Sequence, residues 1–96
     1  MTKHVDYQEV PLERFTGGGA EGAAIRWLIG ETDGARNFAM RMIEIDPGGH
    51  SPLHSHNGEH EIFVWRGRGE LTVEGKAYPL EPGITALVPA NTEHQF

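Results

Sequence analysis

Apolar and polar residues alternate along this chain in short runs bounded by glycine and proline, a rhythm that predicts strands joined by turns. The run AAIRWLI at 23–29 reads as a strand, followed by a turn-rich segment at 30–36 that contains Asp33-Gly34. A second strand is expected over 37–46, stopping at Pro47-Gly48-Gly49, and the two should pair as a hairpin. Ala, Met, Arg and Glu also suit a helix over 38–45, but the bounding Asp-Gly and Pro-Gly-Gly favour the strand. Further strands are expected at 61–66 (EIFVWR), 70–73 (ELTV), 76–80 (KAYPL) and 84–88 (ITALV). The turns between them are Gly67-Arg68-Gly69, Glu74-Gly75 and Glu81-Pro82-Gly83, and Pro89-Ala90-Asn91-Thr92 is a loop leading to His94. Nearer the N-terminus, 10–15 suits a short edge strand, because its proline offers no ladder donor, and 17–22 suits a flexible glycine-rich loop. The pattern predicts an all-β sandwich or barrel. Residues 1–22 would form an arm, edge strand and loop, and residues 23–96 the barrel domain.

Period-two alternation sorts these strands into faces. In 37–46, Arg41, Ile43 and Ile45 share one face and Met40, Met42 and Glu44 the other; both are largely apolar, so the pattern leaves the inward face open. In the following strand His60, Ile62 and Val64 lie together, opposite Glu61, Phe63 and Trp65. If His60 points inward, Phe63 and Trp65 need cover from the N-terminal strands or from a second subunit. A homodimer is the expected assembly.

Composition narrows the function. The chain has 96 residues, enough for one domain with a modest core. Thirteen glycines and six prolines agree with many turns. A net charge of −6 argues against sequence-independent binding to nucleic acid, which needs a basic face. The absence of cysteine excludes disulfides, thiolate metal sites, iron–sulfur clusters and a cysteine nucleophile. No apolar run is long enough to span a bilayer and the first residues do not resemble a signal peptide. A cytoplasmic protein with no membrane partner is therefore expected. The Gly17-Gly18-Gly19 run lacks the GK[ST] that would make it a phosphate cradle.

The chemistry-bearing stretch is Gly48-Gly49-His50-Ser51-Pro52-Leu53-His54-Ser55-His56-Asn57-Gly58-Glu59-His60-Glu61. Imidazole is the commonest metal ligand because it can be neutral near pH 7 with a lone pair free. His-x-His sets two rings on one face of an extended strand. His60, an even step further on, can return to that face from the next strand after a turn at Asn57-Gly58. His94 is a fourth candidate. His4 and His50 are expected to lie on the surface without a role, and Glu31 and Glu59 to be exposed.

With these residues the chain resembles the cupin superfamily, small jelly-roll β-barrels that hold a metal in the barrel mouth. The family's first motif, G-x5-H-x-H-x(3,4)-E-x6-G, is met by Gly48, His54, His56, Glu61 and Gly67, with one residue fewer before the last glycine. The second, G-x5-P-x-G-x2-H-x3-N, is met in part, by Gly83, Pro89 and His94, with Asn91 in place of the second glycine and the final asparagine falling at position 98, past Phe96. The likeness is greatest to small single-domain members carrying H-x-H-x-x-E-H-E. There the third ligand is the residue that His60 matches, whereas the general motif points to Glu61. The resemblance thus implies a cupin-type jelly roll with His54, His56, His60 and His94 as metal ligands, and Arg41 lining the pocket in a catalytic role. Family members close the barrel with a further C-terminal strand, and the sequence departs from them in lacking that strand within residues 23–96. Trp27 and Phe38 are candidate pocket walls, though core or interface packing suits them better.

Four neutral imidazoles suit a divalent transition metal: manganese or iron by resemblance, with nickel, zinc or copper also compatible. The expected activity is a metal-dependent oxygenase acting on a small organic molecule. Alternatives are a non-catalytic small-ligand or sugar-binding module and a metal-dependent isomerase or lyase on sugar-derived acids.

Overall fold

The computed structural model describes residues 2–96 and is built of antiparallel strands, with two single-turn 3₁₀ helices, Tyr7–Glu9 and Glu31–Asp33. The strands are β1 (Glu13–Arg14), β2 (Glu21–Ile29), β3 (Met40–His50), β4 (His60–Phe63), β5 (Gly69–Val73), β6 (Lys76–Leu80), β7 (Thr85–Val88) and β8 (His94–Gln95). They form three ladders, β1-β2-β3, β4-β7 and β6-β5-β8. This is the all-β architecture expected from the alternation, in the jelly-roll form that the resemblance implied. The N-terminal arm is described from Thr2 onward, Met1 lying outside the described residues.

The β2–β3 hairpin forms as expected, with Ile25 opposite Ile43 and Trp27 opposite Arg41. Its turn is closed by Gly34, whose φ of 88° is cheap only for glycine. Lys3 steadies the turn from outside, donating to Asp33 at 3.0 Å and to the carbonyl of Leu28 at 2.8 Å. The 38–45 segment is strand from Met40 onward, which settles the helix alternative. Phe38 precedes β3 and is 81% exposed, so it lines neither core nor pocket.

Two boundaries differ from the sequence expectation. β3 does not stop at Pro47-Gly48-Gly49 but continues to His50, which pairs with Glu21 after a register shift. Between the pairs Ala23–Ile45 and Glu21–His50, the extra β3 residues form a bulge, with Gly48 at φ 80°. Gly49 lies so close to β2 that a Cβ would stand 2.6 Å from the carbonyl oxygen of Glu21 and 2.7 Å from that of Gly22. Likewise, the edge strand expected over 10–15 is reduced to Glu13–Arg14, because Tyr7–Glu9 coils immediately before it.

The Arg41–His60 contact shows which face of β3 lies on the histidine side. The face with Arg41, Ile43 and Ile45 continues the Trp27, Ile25 and Ala23 face of β2 and turns toward the histidines. On the opposite face Arg26 pairs with Glu44 at 2.7 Å and donates to the carbonyl of Val10, drawing the N-terminal segment across it. Among the described apolar residues, burial is confined to Val10, Ala23, Ala24, Ile25, Leu71 and Val88. The accessible surface of 7153 Å² exceeds the roughly 5,500 Å² expected of a compact monomer of this mass. The surplus follows from open sheet faces: Trp27, Ile43 and Ile45 on the β2–β3 sheet and Phe63 and Leu87 on the β4–β7 ladder, all more than a third exposed.

Candidate metal centre

Three separate stretches deliver the four imidazoles. His54 and His56 come from the segment after β3, His60 opens β4, and His94 opens β8. The His-x-His pair does not lie in a regular strand as the spacing suggested. Only His54 is bridged, exchanging backbone hydrogen bonds with His94 at 3.2 and 3.0 Å. The rings nonetheless lie side by side, 5.2 Å between centroids.

Neighbouring contacts hold this irregular segment in place. Ser51, 1% exposed, accepts on its hydroxyl from the Phe96 amide at 2.9 Å, and its own amide donates to the Phe96 carbonyl. Gln95 donates to the Ser51 carbonyl at 2.9 Å. On the other side the Asn91 amide donates to the carbonyl of His56 at 2.6 Å. Asn91 sits at φ 59°, a conformation that asparagine tolerates better than most residues. A loop and a strand terminus thus clamp the His54–His56 segment where β-ladder bonds are missing.

One nitrogen of each of His54, His56, His60 and His94 lies within 4.8 Å of the other three. Donors about 2.1 Å from a shared ion stand at most about 4.2 Å apart, so the cluster is close to the size of a coordination sphere. His94 makes the strongest case. It is 1% exposed, its Nδ1 donates to the Thr92 carbonyl at 2.8 Å, and its Nε2 is buried with no hydrogen-bond partner. A buried polar atom without a partner costs about 1–3 kcal/mol, and a metal ion would supply the partner. His54 is arranged in the same way, Nδ1 donating to the Pro52 carbonyl at 3.0 Å. Because a carbonyl can only accept, both rings carry hydrogen on Nδ1 and turn a lone pair inward from Nε2. The residues present fit a metal ion.

The other two rings touch each other, Nε2 to Nε2 at 2.6 Å. His60 also meets the Arg41 guanidinium, 3.0 Å from its Nδ1. Burial, with Arg41 and the other histidines adding repulsion, pushes the His60 pKa down to about 4. His56 is lowered too, by burial first and then by the charges of His54, His94 and Arg41. Such groups remain neutral, as ligation requires.

Glu61, the alternative third ligand, is outside this cluster. The β4–β7 register sets His60 opposite Val88 and Glu61 opposite Leu87, so the two residues face opposite sides of the ladder. Glu61 is exposed beside Phe63 and Leu87. Arg41 does stand at the centre's edge, its guanidinium 5.3 Å from the Trp27 ring. Trp27 is half-exposed and donates its indole N–H to Glu13 at 3.1 Å. Sequence reasoning missed the roles of Ser51, Gln95 and Asn91, whose contacts across the fold leave no trace in spacing. His50 is not idle, lying 3.3 Å from the Gln95 amide nitrogen. His4, Glu31 and Glu59 are exposed as expected.

Comparison with known proteins adds to this geometry. Residues 41–96 match the family model described as "Cupin domain". The chain is similar in structure to the polyketide cyclase RemF from Streptomyces resistomycificus, with a TM-score of 0.89 and 33% identity. That match covers 99% of this chain and 68% of the cyclase. The polyketide synthase protein CurC of Streptomyces cyaneus is 27% identical over 93 residues, 96% of this chain and 58% of that protein. Quercetin 2,3-dioxygenase of Bacillus subtilis is 38% identical over 60 residues, 62% of this chain but only 18% of the dioxygenase. The chain therefore spans only part of the curated relatives it matches.

Proposed function

The chain belongs to the cupin family, and from that premise we propose that it is a metal-dependent enzyme closing rings in a small poly-β-ketone or related planar, oxygen-rich molecule. The observation that carries this reading is the convergence of four imidazoles, with the unpartnered His94 Nε2 at its heart, beside an exposed arginine and tryptophan. Likeness to a polyketide cyclase over nearly the whole chain supports it.

In this reading His54, His56, His60 and His94 hold a divalent transition ion. Manganese, iron, nickel, zinc and copper all accept imidazole. Bound there, the ion supplies Lewis acidity toward a carbonyl oxygen. The rest is the work of this chain's own side chains. Trp27 offers a half-exposed flat face on which a conjugated ring can stack. Arg41, which only donates, can hold an enolate or carboxylate oxygen as charge develops. Ile43 and Ile45 follow Arg41 on the same face of β3 and offer an apolar continuation of that floor.

The test is anaerobic incubation of the metal-loaded protein with a poly-β-ketone made by a minimal polyketide synthase. Ring-closed product lighter by one water, formed without dioxygen and lost in the His56→Ala variant, is expected. Spontaneous cyclisation that the protein neither accelerates nor redirects would refute the reading. The dioxygenase match favours a second one, a manganese- or iron-dependent oxygenase acting on a polyphenol. Oxygen consumption with quercetin by the manganese- or iron-loaded protein would establish it in place of the first.

A further inference from the structure

The four rings are not equivalent. His54 and His94 each turn Nδ1–H to a backbone carbonyl, so their Nε2 lone pairs already point inward. His60 is held the other way round. Arginine has five donors and no acceptor, so the Arg41 nitrogen 3.0 Å from His60 Nδ1 requires that Nδ1 accept. A neutral ring that accepts on Nδ1 carries its hydrogen on Nε2. That hydrogen has a partner: the Nε2 of His56, at the 2.6 Å separation of a hydrogen bond. Arg41, His60 and His56 therefore form a directed relay in which His60 has no lone pair to offer the centre. The His56 lone pair is engaged as well.

We propose that Arg41 is a latch on the fourth ligand: while its guanidinium bonds His60 Nδ1, His60 is kept in the tautomer that cannot ligate through Nε2, and it joins the metal only when Arg41 lets go. Ligation through Nε2 moves the ring hydrogen to Nδ1, where it would face another donor. The two arrangements are mutually exclusive. Release is easy to accommodate, because Arg41 is an exposed side chain on β3 with the Trp27 ring 5.3 Å away as an alternative resting surface. Arg41 acts here as a positioning residue. The inference rests on the metal-binding reading above and concerns how the site is filled.

Calorimetric titration with zinc, on wild type, Arg41→Met, His60→Ala and the double variant, tests it. Losing a charge-assisted hydrogen bond that opposes ligation should tighten zinc binding about tenfold or more in Arg41→Met. Removing a nearby positive charge would also favour a cation, and the double-mutant cycle separates the two effects. A latch acts only through His60, so in the His60→Ala background the gain must shrink to the part that the charge alone gives. A gain of equal size there would reduce Arg41 to a charge effect and overturn the proposal, as would no gain at all. Nitrogen-15 spectra of wild type give a readout that needs no variant of Arg41. The ring of His60, assigned by its loss in His60→Ala, should carry hydrogen on Nε2 without metal and on Nδ1 with zinc. Hydrogen on Nδ1 in the metal-free protein would overturn the latch. Failure of any form to take up zinc would instead overturn the metal reading itself, and the latch with it.

Discussion

Metal should raise the melting temperature of this protein, and replacing His56 by alanine should abolish most of that rise. The donors come from three stretches that β8 and β4 bring together only in the folded state, so an ion bound by all four favours that state. At a metal concentration a hundredfold above Kd, the stabilisation is about 2.7 kcal/mol. For a domain near 100 residues, about 4–8 °C accompany each kcal/mol, so the melting temperature should rise by roughly 10–20 °C. His54, His56 and His60 remain close in sequence in the unfolded chain, and their residual binding pulls the figure toward the lower end. His56 is the right residue to replace because it is half-buried and outside every ladder, whereas His94 is buried within one. If losing one ligand weakens binding about a hundredfold, the same metal concentration equals Kd and the stabilisation falls to about 0.4 kcal/mol. The shift should then be only about 2–3 °C. Differential scanning calorimetry with and without chelator, alongside elemental analysis, gives both quantities. Stoichiometric metal without a shift, or the full shift in the variant, would refute the reasoning.

Further outcomes follow from particular contacts. His60→Ala should weaken zinc binding by more than tenfold, whereas Glu61→Ala, on the outward side of β4, should leave it within about twofold; the opposite ranking by calorimetry would mean that the β4 register is wrong. The metal-free protein should lose stability as pH falls from about 6.5 toward 4. In that window unfolded histidines near 6.5 take up protons that folded His60, at about 4, and lowered His56 refuse. Stability is therefore fully present above 6.5, and denaturant midpoints at pH 7 and 5 should differ less in His60→Gln than in wild type. Gly49→Ala should cost about 1–3 kcal/mol in urea denaturation, because its Cβ would press on two backbone carbonyls of β2. Finally, we propose that a second copy covers Phe63 and Leu87, which are 67% and 59% exposed. Light scattering should then show a dimer that Phe63→Glu or Leu87→Glu converts to monomer, and a monomeric wild type would end that proposal.

Much of the site could be read from the chain because its parts are local. His54, His56 and His60 sit within one short stretch, and a strand that begins at His60 needs only period-two alternation to separate His60 from Glu61. Alternation alone could not say which of the two faced inward, since a slip by one residue reverses every side chain. Pairing with β7 decided it, through Val88 buried opposite His60. The bulge at Pro47-Gly48-Gly49 misled for a related reason. Turn residues end a strand in isolation, but here β2 supplies partners beyond them and the ladder resumes at Glu21 and His50.

The sequence by itself determined the strand rhythm, the turns at Asp33-Gly34 and Glu74-Gly75, and the identity of the clustered histidines. These depend on alternation, on residues that tolerate positive φ, and on spacing, all of which act over a few neighbours. Only the tertiary structure decided that His94 closes the cluster with a buried, unpartnered nitrogen, and that Ser51 and Asn91 clamp the irregular segment. It alone placed Arg41 against His60 Nδ1, 19 positions away in sequence. Tautomer, burial and donor–acceptor matching are properties of atoms brought together from distant positions, and no local pattern encodes them.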